Sequence, residues 1–232
     1  LYWDDANGRA DWRKERLNTA ASIPVRAPIY YGRKSRSRGD SYTMTFRRDD
    51  PSGVAILIPC QRRIESINDL NDEAAALWKA EAPRSGPAAI GSDWGCVGAL
   101  LGSGEARETL GADWNAHFRE IRGEGMSIVG PDGELDLVWP ATVTGKPAAM
   151  DIILATATLP EAEPPTTQTL ADAWLNQNGG YERYFFENVR HGIRTTHDLE
   201  IWRCIEAGEP SWLETDGYHE AVKVLRGEAR GS

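Results

Sequence analysis

The stretch PIYYGRKSRSRGDSYTMTF, residues 28–46, contains two strand-like segments joined by a strongly basic loop. Ile29–Gly32 is a short apolar run, and Ser41–Phe46 alternates apolar and polar side chains as a half-buried strand does. Four basic residues stand in or beside the loop that ends at Gly39: Arg33, Lys34, Arg36 and Arg38. The pattern predicts an antiparallel hairpin with a basic tip.

The segments on either side of this hairpin predict further strands and helices. Gly53–Cys60 is a continuous apolar run between two prolines, which is typical of a strand covered on both faces and lying near the centre of a sheet. Ser66 begins a capping box, and apolar spacing after it predicts a helix over Ile67–Glu81. Further segments predict strands over 94–101 and 150–158, a helix over 104–122, a hairpin over 126–139, and helices over 169–178, 181–191, 196–206 and 217–226.

This order of elements predicts an α+β fold. We expect a mixed, largely antiparallel sheet of about six or seven strands packed by helices, followed by a C-terminal cluster of short helices. The whole chain, 1–232, is interpreted as a single compact domain with a sheet-containing body over 1–160 and a helical C-terminal subdomain over 161–232.

Charge is distributed unevenly along the chain. The net charge is −9, but residues 26–63 hold nine basic and three acidic residues, so this segment carries +6 and the remainder −15. An acidic chain is a poor candidate for coating nucleic acid, whereas a basic segment on an acidic body could focus a small anion. The alternative is that these basic residues pair with acidic side chains elsewhere.

Other features bear on the compartment. No apolar run reaches the roughly 18 residues that span a bilayer, and the first residues lack the apolar core of a signal peptide. The three cysteines are scattered, which fits a reducing compartment. Arginine outnumbers lysine 21 to 5, which favours a bacterial source. We therefore expect a cytoplasmic protein with no membrane partner.

The basic hairpin is the candidate ligand site. Guanidinium groups bind phosphate or carboxylate in bidentate geometry, and hydroxyl groups donate to the same oxygens. The loop matches neither a Walker nor a dinucleotide motif. We expect the ligand-binding residues to be Tyr31, Arg33, Arg36, Arg38, Ser41 and Thr43, with Trp94 as an aromatic wall. The alternatives are a solvated hairpin tip and a loop that binds a partner.

His191 and Asp93 are the candidate catalytic residues. A histidine titrates near neutral pH, and a carboxylate beside an apolar strand can act as an acid or a base. His191 also stands where a helix is expected to end, so an interaction with the helix dipole explains it equally well. His191, His197 and Asp198 match no zinc pattern, and we expect no metal site. Cys96, in a buried strand, is a weaker candidate nucleophile.

Two functions follow from these residues. The first is binding of an anionic small molecule, a phosphate- or carboxylate-bearing metabolite or nucleotide, with hydrolysis or group transfer as the chemistry if the protein is an enzyme. The second is a non-catalytic interaction module that docks an acidic protein or a nucleic acid through the same hairpin. Nucleic acid is the less favoured partner because of the net charge, and no motif identifies a cofactor.

Overall fold

The computed structural model describes residues 2–35, 40–48, 53–176 and 182–208, with five single residues near the C-terminus: Tyr218, Ala221, Lys223, Leu225 and Gly227. Contacts between Cα atoms divide the chain into two compact units. Unit 1 comprises Leu1–Val25 and Leu57–Leu159, and unit 2 comprises Arg26–Ile56 and Pro160–Ser232.

The fold is α+β, as predicted. The helices are α1 Arg9–Arg16, α2 Ile67–Glu81, α3 Glu105–Ile121, α4 Thr167–Leu175, α5 Glu182–Arg190 and α6 Asp198–Ala207. The strands are β1 Ile23–Ala27, β2 Ile29–Ser35, β3 Ser41–Phe46, β4 Gly53–Leu57, β5 Gly91–Ser92, β6 Gly95–Leu101 and β7 Ile152–Thr158. The predicted helix over 217–226 lies largely outside the described residues.

The prediction of one sheet of six or seven strands is wrong. The described strands form three small sheets: β1 with β4, β2 with β3, and β5 with β6 and β7. Non-strand segments of the chain form hydrogen bonds to the free edges of β2 and β4, where additional strands would otherwise pair. Glu161 N–H donates to Gly32 O at 2.7 Å on β2, and Val54 of β4 exchanges two backbone hydrogen bonds with Arg194.

The apolar run at 53–60 therefore does not form a central strand. Only Gly53–Leu57 is extended, and the side chains from Val54 to Leu57 are half-buried rather than covered on both faces. Strand β4 pairs with β1, and among the described residues its further pairing is one antiparallel bridge between Val54 and Arg194. A continuous apolar run is compatible with several degrees of burial. In this strand the neighbouring residues bury the side chains from Val54 to Leu57 only partly.

Unit 1 is organised around β6, in which every residue is buried. It pairs antiparallel with β7 along its whole length, from Gly95 opposite Thr158 to Leu101 opposite Ile152. The other edge is shared by β5 and by Leu135, whose N–H donates to Ala99 O at 2.8 Å. Helices α2 and α3 contact β6 and bury Trp78, Trp114 and Phe118 completely.

The predicted hairpin over 126–139 is reduced to a tight turn. Val129 and Leu135 form one antiparallel bridge, closed by the Gly130 N–H donating to Glu134 O at 2.8 Å. Residues 126–139 contain no longer β-strand on either side of this turn. The Gly133 carbonyl and the Leu135 N–H are hydrogen-bonded to Ala99 of β6, so they are not available for pairing within a hairpin.

Helix α1 docks in unit 1 through arginines rather than through an apolar stripe. Arg9 and Arg13 are buried, and Arg9 Nε donates to Ala80 O at 3.0 Å on α2. Arg16, one turn after Arg13, donates to the buried carboxylate of Glu73 at 3.1 Å. Arginine can serve in this way because its stem packs while its guanidinium satisfies carbonyl and carboxylate acceptors.

Glu73 also pairs with Arg62, one of the residues of the basic segment. Arg62 Nε donates to Glu73 Oε1 at 2.9 Å, and its other nitrogens lie 3.0 Å from Asp69 and 3.2 Å from Asp72. The positive charge of Arg62 is thus offset by three carboxylates of α2. The alternative that basic residues of this segment pair with acidic side chains elsewhere is therefore correct for Arg62.

We predict that Glu73→Gln lowers the free energy of unfolding of unit 1 by about 1 to 3 kcal/mol, because two charge-assisted hydrogen bonds to a buried carboxylate weaken. Urea unfolding followed by tryptophan fluorescence measures this. Asp72→Asn is the control, since Asp72 also faces Arg62 but its side chain is 64% exposed. Equal effects of the two substitutions would contradict a structural role for the buried carboxylate.

Unit 2 joins the predicted hairpin to the predicted cluster of short helices. Strands β2 and β3 pair antiparallel from Ile29 opposite Phe46 to Ser35 opposite Ser41, with a bulge between Tyr31 and Arg33. Helices α4 and α6 pack on each other, and α4 contacts β3. Their shared core contains Trp174, Phe185 and Ile201, all fully or almost fully buried.

Candidate functional site

The β2–β3 hairpin presents two chemically different faces. Because side chains alternate along a strand, the register places one set of residues on the face toward the helices: Tyr31, Tyr42 and Met44. The opposite face, here called the hydroxyl face, consists of Arg33, Ser35, Ser41, Thr43 and Thr45. Arg36 and Arg38, in the loop between the strands, lie outside the described residues.

The hydroxyl face is the more buried side of β3. Ser41, Thr43 and Thr45 are buried, whereas the apolar residues that alternate with them are only half-buried. Thr43 Oγ1 donates to Arg33 O at 3.3 Å. Ser41 is 0% exposed, and its Oγ has no hydrogen-bond partner among the described residues. Buried hydroxyls are normally hydrogen-bonded, so Ser41 is unusual for a strand interior.

Tyr31, expected at the ligand site, lies on the other face. Its ring is 2% exposed and makes an edge contact with Trp174 at 5.0 Å between centroids. The bulge after Tyr31 separates it from Arg33, so the structure brings Arg33, Ser41 and Thr43 together but not Tyr31. Burial raises the pKa of Tyr31 well above its ordinary value, and the charges of Asp198 and Tyr184 act in the same direction.

A buried carboxyl group lies near Tyr31. Asp198, at the start of α6, is 2% exposed and accepts a hydrogen bond from Thr195 Oγ1 at 2.5 Å. Burial raises the pKa of Asp198 to about 7, although the hydrogen bonds from Thr195 and the charge of Arg194 favour the carboxylate. Burial likewise lowers the pKa of Arg194. We call Tyr31, Asn188, Arg194, Thr195 and Asp198 the Tyr31–Asp198 cluster.

Local sequence patterns do not identify this cluster. They place Asp198 only beside His191 and His197, in a spacing that matches no zinc site. A Thr-x-x-Asp pattern before an apolar helix does indicate a capping interaction. Nothing in that pattern indicates that the carboxylate is buried, because burial depends on the tertiary packing around α6.

His191 follows the last turn of α5, as the helix-end interpretation expects. Its Nε2 lies 3.4 Å from Glu187 Oε2, and Arg190 lies 3.7 Å from the same oxygen. Glu187 is buried, while the His191 side chain is 36% exposed. A buried carboxylate can orient an accessible imidazole, which is the geometry that a general base requires.

Asp93 and Trp94 belong to unit 1, in the turn between β5 and β6. Asp93 is exposed. Trp94 packs on the buried Trp78 of α2 with 4.8 Å between ring centroids, and its carbonyl accepts from Leu159 N–H at 3.0 Å. These contacts explain Trp94 as part of the packing around α2.

The described residues of unit 1 line open grooves, of which two contain arginines. One, of about 680 Å³, runs beside α1 and includes Arg13 and Lys14; the other, of about 490 Å³, lies along α3 and includes Arg107 and Arg119. Arg13 pairs with Asp5, and Arg107 makes two hydrogen bonds to Glu134 at 2.7 and 3.0 Å. Each groove therefore has an arginine whose charge is already offset.

Cys96 does not have the environment of a nucleophile. It is fully buried in β6, and burial raises the pKa of its thiol although the guanidinium of Arg122 acts in the opposite direction. Burial and then Glu73 raise the pKa of Cys60, whereas Arg62 and Arg16 lower it. A reactive thiol needs the reverse combination of exposure and a lowered pKa.

We predict that iodoacetamide leaves Cys96 unmodified in the native protein at about pH 7.5, while Cys204, which is partly exposed, reacts. Mass spectrometry of tryptic peptides measures the modified fraction at each thiol. In denaturant all three cysteines should react alike, which is the control. Alkylation of native Cys96 as fast as Cys204 would restore it as a candidate nucleophile.

Among the described residues, no three histidine, cysteine, aspartate or glutamate side chains come together as a metal site. In the same part of the chain, no helix has the length and apolarity to cross a bilayer. Comparison with models of protein families, with curated proteins and with solved structures finds no match to this chain. The function is therefore inferred from the residues themselves.

Proposed function

We propose that the protein binds a small anionic molecule, a phosphate- or carboxylate-bearing metabolite or nucleotide, at the loop end of the β2–β3 hairpin. The observation that carries this proposal is the hydroxyl face, where buried hydroxyls of β3 stand beside the guanidinium-bearing residue Arg33. Ser35 and Ser41 are directly opposite each other where the strands enter the basic loop.

The chemistry of this face suits oxyanions. Hydroxyl groups donate to phosphate or carboxylate oxygens, and arginine adds bidentate, charge-assisted hydrogen bonds. Ser41 Oγ, buried and without a partner in the described part of the chain, is a donor for such an oxygen. In the sequence, Arg36 and Arg38 of the loop follow directly, so the expected binding residues are Arg33, Arg36, Arg38, Ser41 and Thr43.

The electrostatic support comes from the hairpin segment of unit 2, residues 26–56, and not from the unit as a whole. This segment contains seven basic and three acidic residues, a surplus of +4. Arg47 lies over the ring of Tyr30 at 5.8 Å, and the Glu161 carboxylate accepts from the Lys34 backbone N–H at 3.1 Å.

A second candidate function is hydrolysis or group transfer on the bound anion. The pairing of His191 with the buried Glu187 favours it, since this carboxylate would orient the imidazole as an acid or a base. Asp93 is the other residue proposed for this role from the sequence. The non-catalytic alternative is docking of an acidic protein or nucleic acid by the same hairpin.

We predict that inorganic phosphate, a sugar phosphate, a nucleotide or a dicarboxylate raises the melting temperature of the wild-type protein, and that Arg33→Ala reduces this shift. Ligands that bind only the folded state stabilise it by mass action. Differential scanning fluorimetry with each compound measures the shift. Lys34→Ala is the matched control, because it removes the same charge from the adjacent, oppositely directed side chain.

Loss of the shift in Arg33→Ala and its retention in Lys34→Ala supports the hydroxyl face. Absence of a shift with every compound, or equal losses in both variants, contradicts the proposal. Retention on a polyanion column that falls steeply with salt, without stabilisation by small anions, would instead favour docking of a macromolecule.

A further inference from the structure

Asp198 occupies a position that the anion site does not use. Its Oδ1 accepts from Thr195 Oγ1, whereas Oδ2 is buried and has no hydrogen-bond partner among the described residues. The hydroxyl of Tyr31 is also buried, and the Asn188 side chain beside it acts to lower its pKa. The two groups are close enough that the charge of Asp198 acts on the Tyr31 phenol.

Asp69 provides a comparison within the same molecule. It also stands three residues after a hydroxyl residue, in this case Ser66, the N-cap of α2, and it accepts from Ser66 N–H at 3.0 Å and from Ser66 Oγ at 2.7 Å. The Asp69 side chain is 28% exposed and faces Arg62 at 3.0 Å. The hydrogen bonds of Ser66 and Glu65 lower the pKa of Asp69.

The same Ser/Thr-x-x-Asp pattern therefore stands in two opposite environments. The hydrogen bonds from the hydroxyl residue favour the carboxylate at both positions. In α6 the carboxylate is enclosed, and loss of hydration disfavours its charged form. The charged and titratable groups that act on Asp198 in the described residues are Arg194, in the turn before α6, and Tyr31, on β2.

We propose that the Tyr31–Asp198 cluster is a proton-linked conformational switch in unit 2: protonated Asp198 allows the first turn of α6 to pack beside Tyr31, and ionised Asp198 loosens that packing. Neutral Asp198 needs no compensating charge in the interior. Ionised Asp198 is not fully compensated by Arg194, because burial also disfavours the charge of that guanidinium. The carboxylate therefore gains hydration only if the turn opens.

The backbone connects this turn to the sheet of unit 2. Val54 N–H donates to Arg194 O at 2.7 Å, and Arg194 N–H donates to Val54 O at 2.9 Å. Opening of the turn at Thr195–Asp198 would thus strain the bridge to β4. The switch is independent of the anion site, which lies on the opposite face of β2.

The sign of the pH dependence follows from the pKa of about 7 in the folded state. This value exceeds that of an unfolded aspartate, so the stabilisation is complete below about pH 4 and is lost as the pH rises through about 7. The pKa of Asp69 is lowered, so its contribution is present above about pH 4 and does not change near neutrality.

Hydrogen exchange of the full chain, resolved by mass spectrometry and corrected for the intrinsic effect of pH, tests the switch. Between about pH 5.5 and pH 8, protection of peptides from α6 should fall at least about tenfold in the wild-type protein. In Asp198→Asn it should stay constant. Asp69→Asn is the matched control and should retain the wild-type fall, with α2 as an internal reference.

A pH-independent protection of α6 in the wild-type protein, or the same fall in Asp198→Asn, overturns the proposal. If Asp198→Asn does not fold, carboxyl ¹³C resonances of aspartate-labelled wild-type protein serve instead. One aspartate titrating near neutral pH supports the switch, and titration of all of them below about pH 5 contradicts it.

Discussion

Alternation of side chains along β2 and β3 is the constraint on which unit 2 depends. Because neighbouring residues point to opposite faces, Tyr31 enters the aromatic core with Trp174, while Arg33, beyond the bulge, joins the buried hydroxyls of β3. A shift of one residue in this register would bring the hydroxyls to the helices and the aromatic ring to the other side. Two kinds of chemistry are thereby kept apart on a hairpin only two strands wide.

Buried polar groups shape both units, with different outcomes. In unit 1, Glu73 accepts from Arg16 and Arg62, so its charge is matched by partners that bring α1 and the segment before α2 against the helix. In unit 2, Asp198 has one matched oxygen, and the enclosure of the other raises the pKa of the group. A buried charge with partners is a structural contact, and one without sufficient partners responds to pH.

The proposed anion site and the proposed switch use the same strand from opposite sides. The anion site needs donors, which the hydroxyl face and the arginines supply. The switch needs an acidic group in a poorly hydrated interior, which the packing of α6 beside Tyr31 supplies. Glu187 on α5 and His191, which follows this helix, form another pair of acid–base groups among the described residues of this unit.

The sequence by itself determined the local elements of this protein: the α2 capping box at Ser66, the β2–β3 hairpin and the helical character of the chain after Pro160 follow from patterns within a few residues. Tertiary structure alone decided how the strands group, since Glu161 and Arg194 occupy edges that local patterns leave open. It likewise decided that Arg62 is paired, that Trp94 packs on Trp78 and that Asp198 is buried. The physical reason is the same throughout: hydrogen bonds of helices and turns join near neighbours, whereas burial and charge pairing depend on residues far apart in the chain.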